Sequence, residues 1–145
     1  MTSRRSPRAK PAQAERARDA KLEIPPILAK ARRSLAAARR LAADDDADFA
    51  ASRAYFAMVY CAQALLLSRG ATDLKPNAII VALGRDLVRP GLFAAEHHAA
   101  LRTAYDERNV ADYGFDGPFP RALADRMIAR AEAFASDAER LLRES

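Results

Sequence analysis

Tyr55-Phe56-Ala57-Met58-Val59-Tyr60-Cys61-Ala62-Gln63-Ala64-Leu65-Leu66-Leu67 is apolar nearly all the way round a helical wheel. A helix of this kind is covered on several sides, by its own core or by a second subunit. The run sits inside a longer helix, expected from about Ala47 to Arg69 and stopped by Gly70. Ser52, Ala57 and Ala64 are small enough to let a partner helix come close. Cys61 is the only cysteine, so no internal disulfide is possible, and it reads as a small buried hydrophobe.

Working outward, Pro25 and Pro26 stand where proline is tolerated, at a helix start. Ile27, Leu28, Ala31, Leu35, Ala38 and Leu41 then recur every three to four residues, to about Ala43. Asp44, Asp45 and Asp46 form a turn, and Asp46 or Asp48 is placed to cap the long helix. A shorter helix is expected over about 77–87, and Pro90-Gly91 turns the chain. A fourth follows over about 93–112. Residues 114–120 form a Gly/Pro-rich loop with Phe115 and Phe119 exposed. The last helix, about 120–142, carries Leu123, Met127, Ala131, Phe134, Ala138 and Leu141 on one side.

Half of the 145 residues are hydrophobic, much of that alanine, with few aromatics and no tryptophan. Size and composition predict one all-α domain over residues 22–145, an up-and-down bundle of four to five helices. A bundle this small struggles to cover its long apolar helix, so a homodimer is expected. No stretch reaches membrane-spanning length without charge, and no apolar run follows the basic start; the expected location is the cytoplasm, with no membrane partner.

The net charge is +5, and all of the excess lies in residues 1–21, which read as a basic, disordered leader. Such a leader can touch nucleic-acid phosphates non-specifically. Arg32, Arg33, Arg39 and Arg40 look basic enough for the same role, but acids nearby balance them, and a solvated face is the expectation.

One dense polar cluster remains. Tyr105, Arg108, Asn109 and Asp112 are spaced i, i+3, i+4 and i+7 and share a helical face, with Tyr113 just beyond. Asp112 can hold the fork of Arg108, and Arg53 can reach the same place from the long helix. The plainer reading is an interhelical salt bridge; the functional one is an arginine-lined cleft for an RNA phosphate. Metal-free RNA cleavage needs a group to take the 2′-hydroxyl proton and another to protonate the leaving oxygen. Histidine suits both because its pKa of about 6.5 is near working pH. A tyrosine of pKa about 10 is only about 0.1% ionised at pH 7, and an aspartate paired with arginine is a weak base. The two histidines, His97 and His98, lie about 15 Å from Arg108 along the same helix and read as surface or packing residues. No glycine-rich phosphate loop, paired-cysteine metal spacing or nucleophile elbow is present, so neither a cofactor nor a metal is expected.

Three segments in order, Ser52-Arg53-Ala54-Tyr55-Phe56-Ala57-Met58 with 62–70, Gly84-Arg85-Asp86-Leu87-Val88 before Gly91-Leu92, and Tyr105 to Tyr113, resemble small prokaryotic HEPN-domain proteins. The likeness covers about residues 27–142 and is nearest the UPF0332-like branch. It implies a dimeric all-α bundle, often paired with a nucleotidyltransferase protein in toxin–antitoxin or defence modules. Catalytic members resemble metal-independent RNases with an arginine, a following polar residue and a histidine four to six positions on. Carried over, Arg108 and Asn109 fit, while the histidine position falls on Tyr113 or just beyond, where no histidine stands. Near Lys75, where relatives often have a histidine, this chain has Pro76-Asn77. The resemblance therefore implies an RNA-associated or partner-regulating component without efficient catalysis, with Arg53, Tyr105 and Arg108 as contacts. The alternative is a metal-independent endoribonuclease toxin using Arg108 with Asn109, Asp112 or Tyr113.

Overall fold

A computed structural model describes residues 6–72, 74–114 and 117–144. Among them are six α-helices: α1 Ser6–Leu22, α2 Ile24–Ala43, α3 Ala47–Ser68, α4 Pro76–Leu83, α5 Ala95–Tyr113 and α6 Arg121–Glu144. Four of them make an up-and-down bundle, and cross-links between distant residues give its directions. Arg32 pairs with Glu139 and Arg39 with Glu132, so α2 and α6 run oppositely. Ser52 meets Asp112 while Tyr55 meets Tyr105, so α3 and α5 are antiparallel. The turn at Asp44–Asp46 reverses α2 into α3, with Asp45 in the left-handed region at φ 63° that a short polar side chain tolerates.

α3 is the central element, with α2, α5 and α6 packed around it. Most of its 22 residues are buried, including Ala54, Ala57, Met58, Cys61, Ala62, Leu65 and Leu66. Its small residues bring neighbours close. Ser34 on α2 donates from Oγ to the Arg53 carbonyl at 2.7 Å. Its own chain covers most of α3, while Phe49 near its start stays 60% exposed. By length and composition alone α3 could cross a membrane, but 72% of its most apolar window is buried by the other elements. It ends as the sequence predicts: Gly70 takes φ +93°, and the amides of Gly70 and Ala71 bond back to Leu67 and Leu66 at 3.1 Å each.

Other expectations are corrected. The basic leader, residues 1–21, reads as disordered from its charge; the structure describes a helix over Ser6–Leu22, in keeping with its alanine content, and Ala20 is buried. Asp46 occupies the N-cap position of α3 but makes no side-chain cap; Asp48 Oδ1 instead accepts from the Phe49 amide at 2.9 Å. The third expected helix stops being α-helical after Leu83 and continues as a π-helical turn, Gly84–Val88. A Cβ on Gly84 would sit 2.9 Å from His98 Nε2, so glycine lets that ring slide under the turn. Phe119 packs against the core rather than facing solvent. Phe115 lies outside the described residues.

Candidate functional site

The polar cluster assembles where the last turns of α5 cross the first half of α3. Spacing on α5 puts Tyr105, Arg108, Asn109 and Asp112 on the side facing α3. Arg108 Nε lies 2.8 Å from Asp112 Oδ2, and both side chains are only about one-fifth exposed, 21% and 22%. Arg108 Nη1 donates to Asn109 Oδ1 at 3.1 Å. Ser52 Oγ, from α3, approaches the same Asp112 oxygen at 3.4 Å. The guanidinium lies over two rings of α3, 5.6 Å from the Tyr55 centroid and 5.2 Å from that of Phe56.

Arg53 joins from α3, its guanidinium 4.8 Å from the Phe56 centroid. Both arginines therefore share one phenyl ring. Tyr105 stands edge-on to Tyr55 at 6.1 Å and is 43% exposed, so it forms the open rim. Burial, partly offset by Arg108, raises the Tyr55 phenol above its ordinary value, which keeps it neutral. Tyr113 closes α5, and its side chain lies outside the described residues.

Neither histidine serves this cluster. His97 is buried, with Nε2 2.6 Å from Asp137 Oδ2 and its ring against Phe93 and Phe134. That hydrogen bond holds the Asp137 carboxyl below the usual carboxylate range. His98 Nε2 is 2.9 Å from the Ile80 carbonyl oxygen, to which it donates. Cys61 is inert: burial pushes its thiol up to about 12. Among the described residues no group of three or more His, Cys, Asp or Glu side chains is placed to hold a metal ion.

Two features escaped the sequence. Glu107 turns toward α6, where burial raises its carboxyl despite Arg130 and Arg126 nearby. One of its oxygens is buried without a hydrogen bond among the described residues. Its address beside Arg108 gave no hint, because successive helical residues point about 100° apart. A cavity of about 400 Å³ also opens beside the end of α5, between Asp45, Asp48, Val110, Phe119 and Leu123, away from the Arg108 face. The arrangement can grip an anion with two guanidiniums over an aromatic floor. Among the described residues it offers no group poised to shuttle a proton, because Asp112 is committed to Arg108 and Ser52.

Residues 26–143 match the family model described as the HEPN domain. A protein of Methanocaldococcus jannaschii bearing the name "Putative toxin" is 26% identical over 122 residues, covering 84% of this chain and 83% of that one. A UPF0332 protein of Gloeobacter violaceus is 36% identical over 88 residues, 61% of this chain and 70% of that one. Another UPF0332 protein, from Thermotoga maritima, is 28% identical over 113 residues, covering 78% and 86%.

Proposed function

The chain belongs to the HEPN domain family, and from that premise we propose that it is an RNA-associated component of a toxin–antitoxin-type module that binds without cleaving efficiently. The observation that carries this is the state of Arg108. It is held by Asp112 over Tyr55 and Phe56, while both histidines are occupied elsewhere. Arginine with an ordered fork suits a phosphate. Without a histidine, about 10²–10⁴-fold of general acid–base rate is missing. The names of the Methanocaldococcus relatives support the toxin–antitoxin context. In that context the protein acts in the cytoplasm, and a nucleotidyltransferase is the partner to test. Co-purification of this chain with the product of its neighbouring gene tests the module. Recovery of this chain alone, from cells expressing both, contradicts it. A mobility shift of RNA that Arg108→Ala abolishes tests the site.

The working unit in this proposal is a homodimer that sets two Arg108 clusters across one groove. Support comes from exposed apolar groups beside the cluster: Phe49 at 60% and Tyr105 at 43% exposure. Phe49 lies two turns before Phe56 on the same face of α3, and the group resembles the apolar centre of an interface. Phe49→Glu is expected to convert a dimer to a monomer in sedimentation analysis while leaving helicity unchanged. A wild-type chain that sediments as a monomer at tens of micromolar, or a Phe49→Glu dimer, contradicts this face.

A further inference from the structure

The arginines of α2 fall into two rows. Arg32 and Arg39, seven residues apart, face α6 and pair with Glu139 and Glu132 at 2.8 and 3.0 Å. Arg33 and Arg40, also seven apart, turn the other way. With Lys30, Arg53 and Tyr60 they line a groove of about 370 Å³ between α2 and α3. No carboxylate lines that groove, and among the described residues none of its four cations has an acidic partner. The α6 side shows how this fold neutralises arginines when they serve only to join helices. Four like charges around one groove repel one another, and the counter-charge that would relieve them comes from outside the chain.

Aromatic faces run through the same place. Lys30 Nζ lies 5.1 Å from the Tyr60 centroid. Tyr60 stacks with Phe56 at 6.2 Å and 28°, and Phe56 carries both Arg53 and Arg108. The groove is thus continuous with the Arg108 cluster. Cations alone would satisfy an acidic peptide. Cations alternating with ring faces match a single nucleic-acid strand, whose bases stack on aromatics while its phosphates meet Lys and Arg. We infer that the α2–α3 groove is the track along which single-stranded RNA reaches Arg108, with phosphates on Lys30, Arg33, Arg40 and Arg53 and a base on Tyr60. This rests on the RNA-binding reading of the Arg108 cluster and extends it to a second subsite.

The test is fluorescence anisotropy of the full chain with a labelled oligouridine of about a dozen nucleotides, titrated at several salt concentrations. Arg33→Glu/Arg40→Glu changes exposed, unpaired side chains and is expected to fold normally by circular dichroism. Its affinity should fall at least about tenfold, and its salt slope should drop by about 1.4, since each single-strand phosphate contact contributes about 0.7. Tyr60→Ala should weaken binding by about fivefold to 100-fold. Arg89→Glu/Arg143→Glu makes the same change in net charge at exposed positions elsewhere and should stay within about twofold of wild type.

Equal losses in the groove pair and this control overturn the track. So does a polyglutamate of matched charge that binds as tightly as the oligouridine, which would give the groove to an acidic protein. Arg108→Ala, measured alongside, separates the two claims. Binding lost in Arg108→Ala and kept in the groove pair overturns the track and spares the RNA assignment of Arg108. The reverse pattern keeps the groove as an RNA site but overturns both the assignment of Arg108 and the groove's role as a path to it. A wild-type chain that binds no oligouridine overturns both.

Discussion

Arg108→Ala is expected to weaken single-stranded RNA binding by about 10- to 100-fold, the loss of a charge-assisted hydrogen-bonding pair worth about 1.5–3 kcal/mol. The same side chain also braces the bundle, through Asp112, Asn109 and the rings of Tyr55 and Phe56. Breaking a fully buried pair costs about 3–5 kcal/mol. Here both partners retain about a fifth of their exposure, so the structural cost lies below that range. Two further variants separate grip from brace. Arg108→Lys keeps the charge but loses the planar fork, and should bind with intermediate affinity. Asp112→Asn removes the ion pair while leaving the guanidinium in place. If Arg108 contacts phosphate, Asp112→Asn keeps or gains affinity even as it loses stability. If the cluster is only a brace, Arg108→Ala and Asp112→Asn lose stability alike and affinity not at all.

Phe134→Ala is expected to destabilise the fold by about 3–5 kcal/mol, a large share of the roughly 5–15 kcal/mol that holds a domain together. Phe134 is completely buried on α6. It stands edge-on to Phe93 at 5.0 Å and to His97 at 5.6 Å. Truncation would open a cavity where α6 meets the start of α5 and would remove a wall of the His97–Asp137 contact. Urea unfolding should show a lower midpoint at an unchanged slope, with a melting point lower by about 6–20 °C. A loss under about 1 kcal/mol would mean that α6 does not close the core as described.

Elements whose signal is local were readable before any coordinates. The all-round apolarity of residues 55–67 named the central helix, and Gly70 named its end. The i, i+4 spacing of Arg108 and Asp112 forecast their contact, and Arg53 was placed beside them because it borders the apolar run. The family likeness over about residues 27–142 agrees with the matched span, 26–143. Features set by distant partners stayed hidden. Arg32 and Arg33 look alike in sequence, and only Glu139, 107 positions from Arg32, tells them apart. His97 meets Asp137 across 40 positions, a pairing with no local signature. The π-helical turn at Gly84–Val88 has His98 packed against Gly84 from 14 positions away, which helical periodicity does not encode. The helix at Ser6–Leu22 has no amphipathic stripe to mark it, only its alanine content.

The most direct measurement of the central claim is incubation of end-labelled RNA with purified wild-type protein, metal chelated, from about pH 5 to about pH 9, the range over which a general acid–base pair would show itself. The expected result is RNA that shifts into a complex through Arg108 yet stays intact over many hours. Multiple-turnover cleavage with a bell-shaped pH profile, abolished by Arg108→Ala, would contradict it, and would assign the proton transfer to Asp112, Asn109 or Tyr113.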